Sequence, residues 1–127
     1  MQVYISHPMN RVTEIDSILK ELTSNVSDIV FVRPIPLDCK HHEYFYADLK
    51  LLLESDALLV YAPEATIGVS CELAIFKVKK PHCPAIGYRC IKHGWFDRLL
   101  DYQFDSLSDI IQVLSNINYC LTSRKTS

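Results

Sequence analysis

The stretch from Asp56 to Phe76 reads DALLVYAPEATIGVSCELAIF, and its reading decides the fold. Ala57 to Ala62 is apolar without a break, so both faces of that segment are buried, as in a central strand of a parallel sheet. Pro63 and Glu64 stop the strand. After Thr66, apolar residues recur at helical spacing (Val69, Leu73, Phe76). The order is strand, short loop, helix, and in open α/β sheets ligands sit over such loops, beyond the carboxyl ends of the strands. Gly68 suits a positive φ there, or a close approach of backbone to ligand.

Working outward, four more strand patterns follow the same rule: Gln2–Ser6, Ile29–Val32, Cys83–Tyr88 and a short edge strand at Tyr102–Phe104. Helices are expected from about Arg11 to Leu22, from about His41 to Glu54, from the Thr66 loop to Lys80, briefly within Arg89–Leu100, and from a Ser106 or Ser108 cap to about Tyr119. Two prolines keep residues 33–38 extended. The alternation predicts an α/β fold: a flavodoxin-like, Rossmann-like three-layer sandwich around a five-stranded, mainly parallel sheet. One domain is expected over residues 1–121, followed by a frayed polar tail at 122–127.

Composition narrows the function. A chain of 127 residues that is 49% apolar has a real core, and its net charge of −2 argues against a nucleic-acid polymer as partner. No apolar run is long enough for a bilayer and no secretion signal is visible, so the expectation is a cytoplasmic protein with no membrane partner. The 5 cysteines (Cys39, Cys71, Cys83, Cys90, Cys120) form no CxxC and read as reduced, mostly buried thiols. His82, Cys83, Cys90 and His93 match no common zinc spacing, so no metal is expected. The lysines Lys77, Lys79 and Lys80 read as a solvated helix end, and Arg89, Lys92 and His93 as candidate anion contacts.

Three residues stand out chemically. Glu72 lies about one turn into its helix, with no cation at helical spacing. The helix dipole favours its charged form, which is what a nucleophile needs, although a helix-start Glu also serves simply to complement the dipole. Asp48 sits among Tyr44, Phe45, Leu51 and Leu52, where desolvation raises a carboxyl pKa toward that of a general acid, unless it is solvated at the stripe's edge. Tyr4, near the end of the first strand, is a core aromatic or a positioned hydroxyl. Ser6 and Asn10 can bind a ligand or cap the helix. The ends of the first and third strands are neighbours at the switch point of a doubly wound sheet, so Tyr4, Asp48 and Glu72 can meet in one cleft.

These residues carry a resemblance. Val3-Tyr4-Ile5-Ser6-His7-Pro8-Met9, Asp48-Leu49 leading to Ser55-Asp56-Ala57, and Thr66-Ile67-Gly68-Val69-Ser70-Cys71-Glu72-Leu73-Ala74 resemble the nucleoside 2-deoxyribosyltransferase family, including its 2'-deoxynucleoside 5'-monophosphate N-glycosidase branch. The resemblance implies cleavage or transfer at an N-glycosidic bond. Glu72 would be the nucleophile, Asp48 the acid-base group and Tyr4 the residue that aligns Glu72. Substrate would be held by Ser6, His7, Met9, Thr66, Gly68 and Ser70. It implies a nucleoside or nucleotide partner, no cofactor, and a homodimer. His7 stands where the family usually has glycine. A non-catalytic nucleotide or ADP-ribose-like binding module of the same fold, or an NAD glycohydrolase, are the competing readings.

Overall fold

The structure is a computed structural model that describes residues 1–34 and 41–126. The elements run β1 (Gln2–Ser6), one 3-10 turn (Met9–Arg11), α1 (Val12–Asn25), β2 (Val30–Val32), α2 (His41–Glu54), β3 (Ala57–Tyr61), α3 (Ile67–Lys79), β4 (Ala85–Tyr88), α4 (Gly94–Leu99), β5 (Tyr102–Phe104) and α5 (Leu107–Thr126). The loop beyond Pro34, with Cys39, and the side chains of His41, His42, Tyr44 and Phe45 lie outside the described residues.

The sheet order is β2-β1-β3-β4-β5, and all four pairings are parallel. Strand order reverses between β1 and β3, where Tyr4 pairs with Leu58 and Ser6 with Val60. This is the switch point, and crossover helices cover both faces. Alternation along each strand sorts the core into two halves. Val3, Ile5, Leu59, Tyr61 and Ile86 pack with Ile15 and Leu22 of α1 and with Ile110 and Leu114 of α5. Tyr4, Leu58, Val60 and Ala85 pack on the other face with Leu52 of α2, with Val69, Leu73 and Phe76 of α3, and with Phe96 of α4. All five residues of β3 are buried, as its unbroken apolar run requires.

Two boundaries differ from the sequence reading. β4 begins at Ala85 because Cys83 donates its N–H to the Lys80 carbonyl (3.0 Å) and Pro84 has no N–H to give. α5 continues through Thr126, so the expected frayed tail is helical there; no glycine or proline interrupts residues 107–126. The lysines at the end of α3 also do more than face solvent. Lys77 Nζ donates to Asp101 Oδ2 (2.8 Å) and to the Cys83 carbonyl (3.1 Å), while Lys80 Nζ donates to the carbonyls of Leu53 (3.0 Å) and Ser55. They tie the far end of α3 to the end of α2, to the turn before β4 and to Asp101 just before β5.

Asp56 has a structural place as well. Its Oδ2 accepts from the Gln2 backbone N–H (2.8 Å), its own N–H donates to the Gln2 carbonyl (2.8 Å), and Gln2 Nε2 donates to Ser55 Oγ (2.9 Å). These bonds set the β1–β3 register on which the switch point depends. Replacing Asp56 by Ala is expected to lower the unfolding free energy by about 1–3 kcal/mol, since a hydrogen bond to a charged group is lost. Asp56→Asn, which keeps an acceptor, is expected to lose less. Urea denaturation of the three proteins checks the order; equal losses for Ala and Asn would show that the side-chain acceptor does not matter.

Candidate functional site

α3 presents two adjoining stripes at helical spacing. Val69, Leu73 and Phe76 are buried against the sheet. Gly68, Cys71, Glu72 and Ile75 line a cavity of about 670 Å³. Glu72 lies on the seam between the two stripes, so its stem packs inward and its carboxylate reaches the carboxyl end of β1. Tyr4 Oη donates to Glu72 Oε2 and Ser6 Oγ donates to Glu72 Oε1 at 3.0 Å. Tyr4 and Ser6 are both wholly buried and stand two apart on one strand face, so both hydroxyls come from the same side. The two bonds occupy one oxygen each and fix the carboxylate's rotation.

Asp48, Leu49 and Leu52 of α2 form another wall of the same cavity. His7 and Met9 from the β1–α1 loop, Pro34 after β2, and Thr66 and Ile67 at the start of α3 complete it. Thr66 caps α3 by accepting from the Val69 N–H (3.3 Å). Between the two loops, Arg11 Nε and Nη2 bind both Glu64 oxygens (3.0 and 2.5 Å), and Arg11 Nη1 binds Glu14 (2.7 Å). A Cβ on Gly68 would meet nothing within 4 Å. Gly68 has no positive φ, so the open space over its backbone is its distinguishing property.

The arrangement is a doubly wound, five-stranded parallel sheet with its cavity at the strand-order reversal. The fold is flavodoxin-like. Among solved structures, a conserved protein from Enterococcus faecalis V583 superposes with a TM-score of 0.73 at 12% identity, over 88% of this chain and 95% of that one. A 2-deoxyribosyltransferase from Bacillus psychrosaccharolyticus superposes with a TM-score of 0.65 at 15% identity, over 87% of this chain and 90% of that one. No family model and no curated protein sequence matches the chain. At these identities the likeness speaks for the flavodoxin-like fold.

Within that fold, electrostatics revise one expectation. The sequence reading gave the helix dipole control of Glu72 and so an ionised side chain. Burial dominates instead and pushes the Glu72 carboxyl up to about 7; the Tyr4 and Ser6 hydrogen bonds pull it down and the nearby Asp48 charge adds to the rise. Desolvation and the Glu72 charge also hold the Tyr4 phenol far above its usual range, so it stays a hydrogen-bond donor. The signal for this was present: Glu72 falls at helical spacing from Val69 and Phe76, within the apolar stripe.

His7 is 3% exposed. Its Nδ1 bonds the Pro8 carbonyl (2.9 Å), and its buried Nε2 has no hydrogen-bond partner among the described residues. Leaving such an acceptor unpaired costs on the order of 1–3 kcal/mol. Burial lowers the His7 pKa, against the opposing pull of the Pro8 carbonyl, so the ring is neutral at physiological pH.

Other sequence candidates fall elsewhere. Ser70 Oγ donates to the Thr66 carbonyl (2.8 Å) and is not among the cavity-lining residues. Arg89 lies over the Tyr88 ring, Lys92 borders a separate hollow near Asp97 and Gln103, and His93 caps α4, so none of the three reaches Glu72's cavity. Cys71, expected to be buried, is exposed; so is Cys120, while Cys83 and Cys90 are half-buried. Among the described residues no group of three or more His, Cys, Asp or Glu is placed to hold a metal ion, and no helix is long and apolar enough to cross a membrane.

The raised Glu72 pKa has a signed consequence for stability. The folded state holds this proton more tightly than the unfolded chain, so the contribution is full below the ordinary value of 4.5 and is lost as pH rises through about 7. Glu72→Gln removes that loss while keeping the shape. The melting temperature of the variant minus that of wild type is therefore expected to increase between pH 5 and pH 8. A difference that does not change with pH would mean that Glu72 titrates normally.

Proposed function

We propose that this chain cleaves or transfers at the N-glycosidic bond of a 2'-deoxynucleoside or its 5'-monophosphate through a covalent glycosyl-Glu72 intermediate. The observation that carries the reading is the pair of hydroxyls on the Glu72 carboxylate, held at the wall of an open cavity that also contains Asp48. The solved 2-deoxyribosyltransferase with the same fold adds support.

Cleavage of the bond between C1' and the base nitrogen builds oxocarbenium character at C1'. A Glu72 oxygen forms the new bond to C1' as the bond to the base breaks, and the base leaves with that electron pair and takes a proton from Asp48. Water then gives a proton back to Asp48 as its oxygen attacks C1', the ester bond breaks, and the Glu72 carboxylate is restored; a second base that gives its ring N–H proton to Asp48 in place of water gives transfer. Two easier steps replace one hard one. A 2'-deoxy sugar suits this route because no electron-withdrawing 2'-hydroxyl opposes the cation. Tyr4 and Ser6 are the residues that orient Glu72, and His7, Met9, Thr66 and Gly68 contact the ligand. A second copy of the chain is part of this reading: Met9 and Ile67, at the cavity wall, are 55% and 85% exposed and offer it an apolar surface.

The test is release of free base from each deoxynucleoside and each 5'-monophosphate, with and without an acceptor base. Glu72→Ala is expected to lower kcat/KM on the order of 10³-fold or more. In wild type, kcat/KM is expected to rise by up to about tenfold per pH unit on the acid side of about 7, because only the ionised Glu72 carboxylate attacks. No release from any substrate would overturn the reading in favour of a binding module, and turnover of NAD instead would move it to an NAD glycohydrolase.

A further inference from the structure

His7 is a cavity-wall residue whose ring nitrogens the proposed reaction leaves without a chemical part. Its Nδ1 lies 2.9 Å from the Pro8 carbonyl oxygen, which can only accept. The ring proton is therefore on Nδ1, and Nε2 carries a bare lone pair. That nitrogen is buried and has no partner among the described residues, although the ring borders the cavity. The charged groups acting on the ring are Arg33 and Asp16, which are paired with each other at 2.5 Å, so neither supplies Nε2 with a donor. The other ionisable groups on the described cavity wall are Glu72 and Asp48, which are acids, and the Cys71 thiol. A buried acceptor at the wall of a ligand-sized cavity is satisfied when the ligand brings the proton.

We propose that His7 is a specificity-determining residue whose Nε2 accepts a hydrogen bond from a neutral N–H or O–H donor on the bound ligand. The inference rests on the glycosidic reading for the ligand's class. On a deoxynucleoside, three groups have this chemistry: an amino or ring N–H of the base, the 3'-hydroxyl and the 5'-hydroxyl. A ligand lacking the donor leaves Nε2 unpaired and forfeits the bond. A 5'-phosphate dianion, which has only acceptors, gains nothing from His7.

The experiment compares wild type with His7→Phe, which keeps the ring and removes the lone pair. The substrates are a 2'-deoxynucleoside whose base is released, its analogue lacking the base's donor, and its analogues lacking the 3'-hydroxyl or the 5'-hydroxyl. Wild type is expected to favour the parent over one analogue by roughly tenfold in kcat/KM, the size of one net hydrogen bond, and His7→Phe to lose that preference. Which analogue's discrimination collapses identifies the donor as base or sugar. General damage to the loop would lower kcat/KM for all substrates alike and leave the ratios intact, and intact ratios overturn the proposal while base release keeps the glycosidic reading. No base release in wild type overturns both. Independently of turnover, the ¹⁵N spectrum of wild-type histidines, assigned against His7→Phe, is expected to show an unprotonated Nε2. A proton on Nε2 overturns the proposal.

Discussion

The site depends on a carboxylate placed where its charge is expensive. Glu72 lies at the seam between the buried and cavity-lining faces of α3, and two buried hydroxyls from one face of β1 hold it. Those hydroxyls stand where they do because β1 is flanked by β2 and β3 at the reversal of strand order, in a register fixed by Gln2 and Asp56. Water is excluded from one side of the carboxylate and admitted on the other. The result is an acid whose ionisation is balanced near neutrality. Two hydrogen bonds offset part of the desolvation but not all of it.

α3 is a rigid carrier for that group. At its far end, Lys77 and Lys80 bind the carbonyls of Leu53, Ser55 and Cys83 and the carboxylate of Asp101. At its near end Thr66 closes the first turn. The ion-paired Arg11 joins the β1–α1 loop to the loop preceding α3, so the two rims of the cavity are tied to each other. Such positioning suits chemistry that needs a fixed attacking atom.

Much of this was legible in the sequence. The uninterrupted run from Ala57 to Ala62 announced a central parallel strand, and the alternation of strands and helices announced the doubly wound sheet, because burial on two faces leaves no other composition possible. The convergence of Tyr4, Asp48 and Glu72 followed from topology alone. Other features were hidden because they arise from contacts between distant segments. Lys77 looked solvated until Asp101, 24 positions on, supplied its partner. Cys71 looked buried because its face of α3 is apolar, yet that face borders an open cavity. The dominance of burial over the dipole at Glu72 needed the depth of the site, although the apolar spacing around it pointed the same way.

The two edge strands, β2 and β5, are each only three residues long. Short edges offer few free backbone donors and acceptors, and so resist edge-to-edge strand addition. Among the described residues, long flat sheet margins are thus absent, although the central strand β3 is wholly apolar and buried. The exposed side chains of Met9 and Ile67 stand instead at the cavity rim, among the loops and helix ends.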